Sequence, residues 1–537
     1  MKKNNLSSLL KNANYLMIDT IDGLEFCKKN GLSQTTKIIS FNPQLVLNKN
    51  YKIISPEQEL SKNYHLKFSD ATRDFSGKIF NKVYKYSKEN SLAIYSAQYI
   101  IAIQNMIHRS GLILNLIKNS NLVIVYPDYL QKNLNRNING NLYDLLKSYN
   151  NIRTYKLKYK KKDQFQLGRD PVSNFLLRLN FEGINSLLYR MFAIFCEKFP
   201  FLWKEKRILI SHENTLLKGT ASYLFRKGFF IQKTSVNINY DNLNKVNYLD
   251  NLVNIILPLI CQYQENFTLK KINNKNRLFL KKLCKKYISD YFNAKDYWKK
   301  YFNNNKNIYA FLVGTPIGPK DLSCIEVAKR NGIITASFQH GISKEINTDI
   351  LSIDILYEAN LVDYYFTYNK KASEISKKSR FHIARENIVG LPEDMKKGIR
   401  NQKRIRSGHS ILYASTNLYS GNRGITVLVG PSDINKANIE IKLIENILSK
   451  IPHHVSYKPY YSKRYSGLSP EIEIAKTKDN IHINEDEVDL RYIVSQFRIV
   501  ITSRASSTLG WCVMSGKPVI YIENEDTRAN REARKDF

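Results

Sequence analysis

The sequence predicts an α/β protein made of two Rossmann-like domains that face a cleft, the N-terminal one carrying helical insertions. Three observations predict it. Apolar runs of strand length alternate with stretches of helical spacing along most of the 537 residues. The runs end in polar clusters, as parallel strands do where their carboxyl ends border a cleft. A chain this long at 43% hydrophobic has enough apolar residues for two cores.

In chain order, Tyr15–Ile18 ends on Asp19, Lys37–Phe41 on Asn42-Pro43, and Leu122–Val125 on Tyr126-Pro127-Asp128. Arg207–Ile210 runs into Ser211-His212-Glu213-Asn214. Glu213 stands just past that strand, beside a histidine and ahead of the helix-like Thr215–Phe225. Two roles fit it equally: a general base, or part of a helix cap. Stretches near 131–205 and 241–307, rich in Asn and Lys, read as helical insertions or decorated loops. Within the second, Leu280, Leu283, Cys284, Tyr287, Ile288 and Tyr291 form one stripe flanked by Lys281, Lys282, Lys285 and Lys286. This is either a core-packing helix with a solvated lysine face or a basic amphipathic helix suited to an anionic membrane surface.

Tyr309–Gly314 is the next strand, Pro319–Arg330 has helical spacing closed by Asn331-Gly332, and Ile333–Phe338 is a strand again. It ends on Gln339-His340-Gly341, at the carboxyl edge of a parallel βαβ unit. Imidazole titrates near neutrality, and a following glycine lets a substrate approach the backbone. His340 is therefore the first choice for the catalytic group, with Gln339 and Gly341 lining the cleft and Glu213 or Glu345 as alternates. The N-terminal domain spans 1–370. A basic junction at 371–406, eleven Lys and Arg against four acids, overlaps the start of a C-terminal nucleotide-donor domain at 387–537.

The strands of that second domain are Ile411–Ala414, Val455–Lys458, Ile481–Ile483, Val500–Thr502 and Val519–Ile522. Between the last two, Ser503-Arg504-Ala505-Ser506-Ser507-Thr508 opens an apolar helix that Ser515-Gly516-Lys517-Pro518 stops. Hydroxyls and backbone N–H groups at a helix start suit a phosphate; the alternative is that Ser506 or Ser507 only caps the helix. Ser503, Arg504, Ser506, Ser507 and Thr508, with Lys458 at the end of its strand, are the donor-phosphate candidates. The sequence stops at Phe537, which leaves no room for a long final helix crossing back to the first domain.

Lys+Arg 83 against Asp+Glu 47 gives a net charge of +36, which favours anionic partners. Lys rises together with Asn, Ile and Tyr, a pattern of AT-rich coding, and no RRM, KH, zinc-finger or helix-turn-helix signature is present, so nucleic acid is set aside. The cysteines at 27, 196, 261, 284, 324 and 512 show no paired or zinc-like spacing, as expected of a reduced cytoplasmic protein. The longest apolar stretch, Ser91–Ile117, is interrupted by Gln98, Gln104, Asn105, His108 and Arg109. No Asp-x-Asp triplet occurs, so no metal is expected at the site.

Phe-Gln-His-Gly at 338–341, Ile-Val-Gly-Leu-Pro at 388–392, Ile-Leu-Tyr-Ala-Ser-Thr-Asn at 411–417, Ser-Tyr-Lys-Pro at 456–459 and Ser-Ser-Thr…Ser-Gly-Lys-Pro-Val-Ile at 506–520 follow one another. That succession resembles the bacterial capsule and lipopolysaccharide biosynthesis transferases of the GT-B architecture, relatives of capsule Kdo transferases, polysialyltransferases and CDP-glycerol glycerophosphotransferases. The resemblance implies that the His-Gly turn closes the first domain at the cleft and that the second domain holds the nucleotide. It further implies a nucleotide-sugar donor as substrate with no cofactor and a polysaccharide or lipid-linked glycan acceptor, while the positive charge and the lysine-flanked stripe add the inner face of the cell membrane as an alternative place for an otherwise cytoplasmic protein. Two features depart from the relatives. Many of them have Lys-Pro-His-Pro where this chain has Lys458-Pro459-Tyr460-Tyr461, and many place a ribose-binding glutamate where it has Leu509-Gly510-Trp511. A polyol-phosphate transferase and a non-catalytic GT-B binding protein stand beside the glycosyltransferase as readings.

Overall fold

The computed structural model describes residues 3–127, 138–157, 182–198, 207–234, 249–268, 271–346, 361–378, 382–400, 411–415, 432–460, 469–484, 489–523 and 529–535. Within these, 49, 51, 58–61, 394–395 and 397–398 are left out, and the short pieces 175–176, 179 and 238 are added. The described strands form three parallel sheets. The first contains β1 (Tyr15–Met17), β2 (Lys37–Ile39), β3 (Ile53–Ile54), β4 (Leu122–Pro127) and β5 (Ile152–Leu157) in the order β3-β2-β1-β4-β5. The second contains β6 (Arg207–Ser211), β7 (Phe230–Lys233), β8 (Ile308–Val313), β9 (Ile334–Phe338), β10 (Tyr364–Thr367) and β11 (Arg385–Ile388) in the order β11-β10-β9-β8-β6-β7. The third contains β12 (Ile411–Ala414), β13 (Val455–Lys458), β14 (Ile481–Ile483), β15 (Ile499–Thr502) and β16 (Val519–Tyr521) in the order β14-β13-β12-β15-β16. β6 and β12 are buried along their whole length, as strands covered on both faces must be.

The fold class is the α/β one expected, and the second and third sheets are the facing Rossmann-like pair. The first sheet is an addition that the sequence did not separate, because the strands that complete it read poorly. β3 has two residues, and β5 is buried only at its two ends and carries Arg153 and Lys156 between them. The expected start of the C-terminal domain also moves. Ile388 pairs with Thr367 on the edge of the second sheet, so the third sheet begins at Ile411.

Four long helices, Lys62–Ser87, Asn90–Ile117, Leu249–Thr268 and Asn274–Asn304, join the first and second sheets through one shared apolar core. Asn90–Ile117 is long and apolar enough to cross a membrane by length and composition, but 82% of its apolar window is buried inside the protein. Two of its polar interruptions have partners there: Arg109 lies 3.6 Å from Glu57, and Gln98 bridges the carbonyl of Pro316 and the N–H of Gly318. The lysine-flanked stripe resolves the same way. Leu280, Leu283, Cys284, Ile288 and Tyr291 are all buried in that core, so the stripe is a packing face and is not available to a lipid surface.

The end of the chain does return to the second sheet's side, though with a short helix, Arg531–Lys535. The N–H of Asn530 donates to the carbonyl of Ile346 at 2.7 Å, its side-chain amide donates to the carbonyl of Glu345, and Lys371 pairs with Glu532.

Candidate functional site

In the third sheet the winding reverses between β12 and β15, the first and fourth strands of that module, so a crevice opens between their carboxyl ends. Ser415 leaves one side of it and Ser503 the other. A buried network fixes this edge. Tyr413 and Ser503 share a hydrogen bond of 2.9 Å, Tyr457 donates to Glu440 at 3.0 Å, and the two tyrosine rings stack with centroids 5.4 Å apart. Burial pushes the Glu440 carboxyl up, partly offset by its hydrogen bonds and by the nearby Arg504 charge. Thr502 ties β15 to β12 by donating to the carbonyl of Ala414.

The helix Ser507–Met514 starts at this crevice. Ser506 caps it in an extended conformation, its hydroxyl accepting from the N–H of Thr508 at 3.3 Å. The six donor-phosphate candidates therefore divide. Ser503 and Ser506 are buried and used inside the protein, and Lys458 is buried at the end of β13, where its carbonyl accepts from Ser415. Arg504, Ser507 and Thr508 are half-buried and line the surface of the helix start.

The second sheet reverses between β6 and β8. Asn214 holds the loops at this edge together. Its amide donates to the carbonyls of Gly314 (2.8 Å), Phe338 (2.8 Å) and Gln339 (3.2 Å), while its oxygen caps the helix Thr215–Arg226 through the N–H of Leu217. His340 is exposed at the end of β9 with Nδ1 3.1 Å from the hydroxyl of Thr315. Gln339 is fully buried and shapes the turn: its amide donates to Gly341 O and Glu345 Oε1, and its oxygen accepts from the N–H of Tyr368. Glu345 also accepts from Asn369 and thus anchors the turn. Glu213 is held by Lys233 at 3.2 Å and receives the Tyr189 hydroxyl at 3.3 Å, among basic residues beside the turn.

The two edges meet. A Cβ on Gly341 would lie 3.1 Å from Cβ of Ser507, and one on Gly510 would lie 2.0 Å from Cδ1 of Ile342. The His-Gly turn of the second sheet thus rests on the start of the helix Ser507–Met514 of the third. Ile346 joins Ala505, Leu509 and Ala529 in a small apolar cluster behind this contact.

One arrangement here was not foreseen. Nε2 of His212 lies 2.9 Å from the buried Asp321 carboxylate, which also accepts from the Ser211 hydroxyl at 2.8 Å. His212 has φ +48, and Gly314 packs so closely that a Cβ would stand 1.9 Å from the His212 carbonyl. A polar residue at positive φ at a sheet's switch point marks a place where the backbone is held against its preference. Among the described residues no group of three or more His, Cys, Asp and Glu side chains converges as a metal site would need. An open hollow lined by His453, His454 and Lys478 lies at the amino edge of the third sheet, away from this crevice.

Neither a family model nor a curated protein sequence matches the chain. Solved structures similar to it include an S. aureus MnaA–UDP co-structure, with 12% identity over 62% of this chain and 81% of that one and a TM-score of 0.34. Another is Medicago truncatula UGT71G1 complexed with UDP-glucose, with 10% identity over 59% of this chain and 79% of that one and a TM-score of 0.31. Likeness at that level carries no argument about activity, and the fold rests on the sheet order itself.

Proposed function

We propose that the chain is a nucleotide-sugar-dependent glycosyltransferase that builds a surface polysaccharide or a lipid-linked glycan, with the donor phosphate at the start of Ser507–Met514 and the acceptor at His340. The observation that carries this reading is the contact of Gly341 with Ser507, which brings a histidine turn and a helix N-terminus, far apart in sequence, to one cleft. With Nδ1–H donating to Thr315, Nε2 of His340 carries the lone pair that takes the acceptor hydroxyl's proton. The acceptor oxygen then bonds to the anomeric carbon as the bond from that carbon to the phosphate breaks. The departing phosphate keeps the electron pair, stabilised by Arg504 and the N–H groups of the helix start. In this scheme the fixed cation and backbone dipoles stand where other transferases use a metal, and no cofactor is needed.

The test is a saturation-transfer NMR screen against CMP-, UDP-, GDP- and CDP-linked donors, followed by turnover with the donor that binds. Ser507→Ala with Thr508→Ala is expected to cost about 1.5–3 kcal/mol per lost charge-assisted hydrogen bond. His340→Ala is expected to lower kcat on the order of a hundredfold with little change in Tm. Donor affinity unchanged in the double variant would remove the phosphate from this helix. If no donor binds the wild type, the glycosyltransferase reading falls.

A further inference from the structure

A cavity of about 330 Å3 lies beside the cleft, where Leu490–Tyr492 meets the helix Ile184–Lys198 and the loop after β6. Four cations reach it: Arg190, Lys218 and Lys233 from the second-sheet module and Arg491 from the third. The acids around them are fewer. Glu182 takes Arg190 at 2.7 Å and Lys218 at 3.1 Å, Glu213 takes Lys233 at 3.2 Å, and Asp489 takes Arg491 at 2.7 Å. One positive charge is left over. Nε of Arg190 stops 3.8 Å short of Glu213, and both it and Nε of Arg491 are buried without a hydrogen-bond acceptor among the described residues. Burying an unsatisfied donor costs about 1–3 kcal/mol, and more for a charged group, so such donors are kept where something else supplies the oxygen.

We propose that this cavity is an oxyanion site that holds a phosphate or carboxylate group of the acceptor glycan. Guanidinium groups present planar N–H forks that match both anions. The volume lies at the small end of the roughly 300–1,000 Å3 range of ligand sites, which fits one compact charged group rather than a whole nucleotide. The cavity is placed to act on the cleft. The Arg491 guanidinium lies 5.6 Å from the centre of the Trp511 ring, on the donor helix, and Glu213 in its wall directly follows His212. Because both modules supply cations, an anion bound here also ties the two sides of the cleft together. Naming the acceptor as its source rests on the glycosyltransferase reading; the anion site itself does not.

The experiment titrates inorganic phosphate and, separately, glucuronate into the full chain carrying Ser507→Ala and Thr508→Ala, so that the donor helix does not compete, with binding followed by NMR. Lys233→Gln is the main variant, because that side chain is 34% exposed and its loss spares the packing; Arg491→Gln is the second. Saturable binding of at least one anion, weakened tenfold or more by Lys233→Gln, is expected. Phosphate alone would mark a phosphorylated acceptor, and glucuronate alone an acidic sugar. No saturable binding of either anion, or binding indifferent to both substitutions, would overturn the site. Nucleotide binding by the wild type is read separately, so anion binding without donor binding would leave this site standing and remove only its assignment to an acceptor.

Discussion

Gly510 shows how one missing methyl sets the cleft. It lies inside the helix Ser507–Met514, where exchanging glycine for alanine normally gains about 1 kcal/mol of helix propensity. Here Ile342 from the His-Gly turn occupies the space, with Cδ1 2.0 Å from where a Cβ would be. Gly510→Ala is therefore expected to destabilise, by about 1–3 kcal/mol as overpacking does, and the sign is checked by urea denaturation. A gain in stability would mean that the turn does not rest on the helix. At this scale the sequence was legible in position: His340 and Ser507 stand at their sheet edges as expected, because each follows a readable strand. The partners of Glu213 could not be read, since Lys233 and Tyr189 come from other elements, and neither could the link of His212 to Asp321, whose carboxylate arrives from a helix beyond β8. Ser506 was open between cap and ligand, and its bond to the N–H of Thr508 makes it the cap.

The lysine-flanked helix Asn274–Asn304 makes the same point for elements. An apolar stripe with flanking lysines has one pattern whether it faces a core or a lipid surface, and only the neighbouring helices decide. Leu280 is fully buried in the shared core. Leu280→Ala should cost about 2–5 kcal/mol, read as a lower denaturation midpoint, with sedimentation on anionic vesicles unchanged. Weakened vesicle binding at unchanged stability would return the stripe to a membrane role. Strands were legible when buried and β-branched: β4, β6, β8, β9 and β12 to β16 fall within a residue or two of the expected runs. β3, β5, β7, β10 and β11 were missed, and β11, Arg-Glu-Asn-Ile on a sheet edge, has no apolar signal to find.

Across the whole molecule, the first and third modules also touch, near a buried acid. Burial pushes the Glu57 carboxyl up to about 7; Arg109 opposes this, and Asp433 of the third module adds to it. Because the folded state holds this proton more tightly than the unfolded chain, with its ordinary value of 4.5, stability falls as pH rises from about 4.5 to 7. The loss from this group is on the order of 3 kcal/mol. Glu57→Gln should flatten that part of the curve, measured as urea midpoints at intervals across the window. An equally steep decline in the variant would assign it to another group. No sequence pattern announces this contact, because Glu57 follows a two-residue strand and Asp433 lies in another module.

The return of Asn530 and Glu532 to Glu345, Ile346 and Lys371 has a mechanical meaning. A body joined to another at one point can swivel about any axis. A body joined at two points can turn only about the line between them. The third module leaves the second through the chain after β11 and is fastened to it again at Asn530 and Glu532, and its contact with the first module at Asp433 is a further hold. A hold off the line between the first two takes away the free swing, so the His-Gly turn and the helix Ser507–Met514 part only when one of the holds lets go.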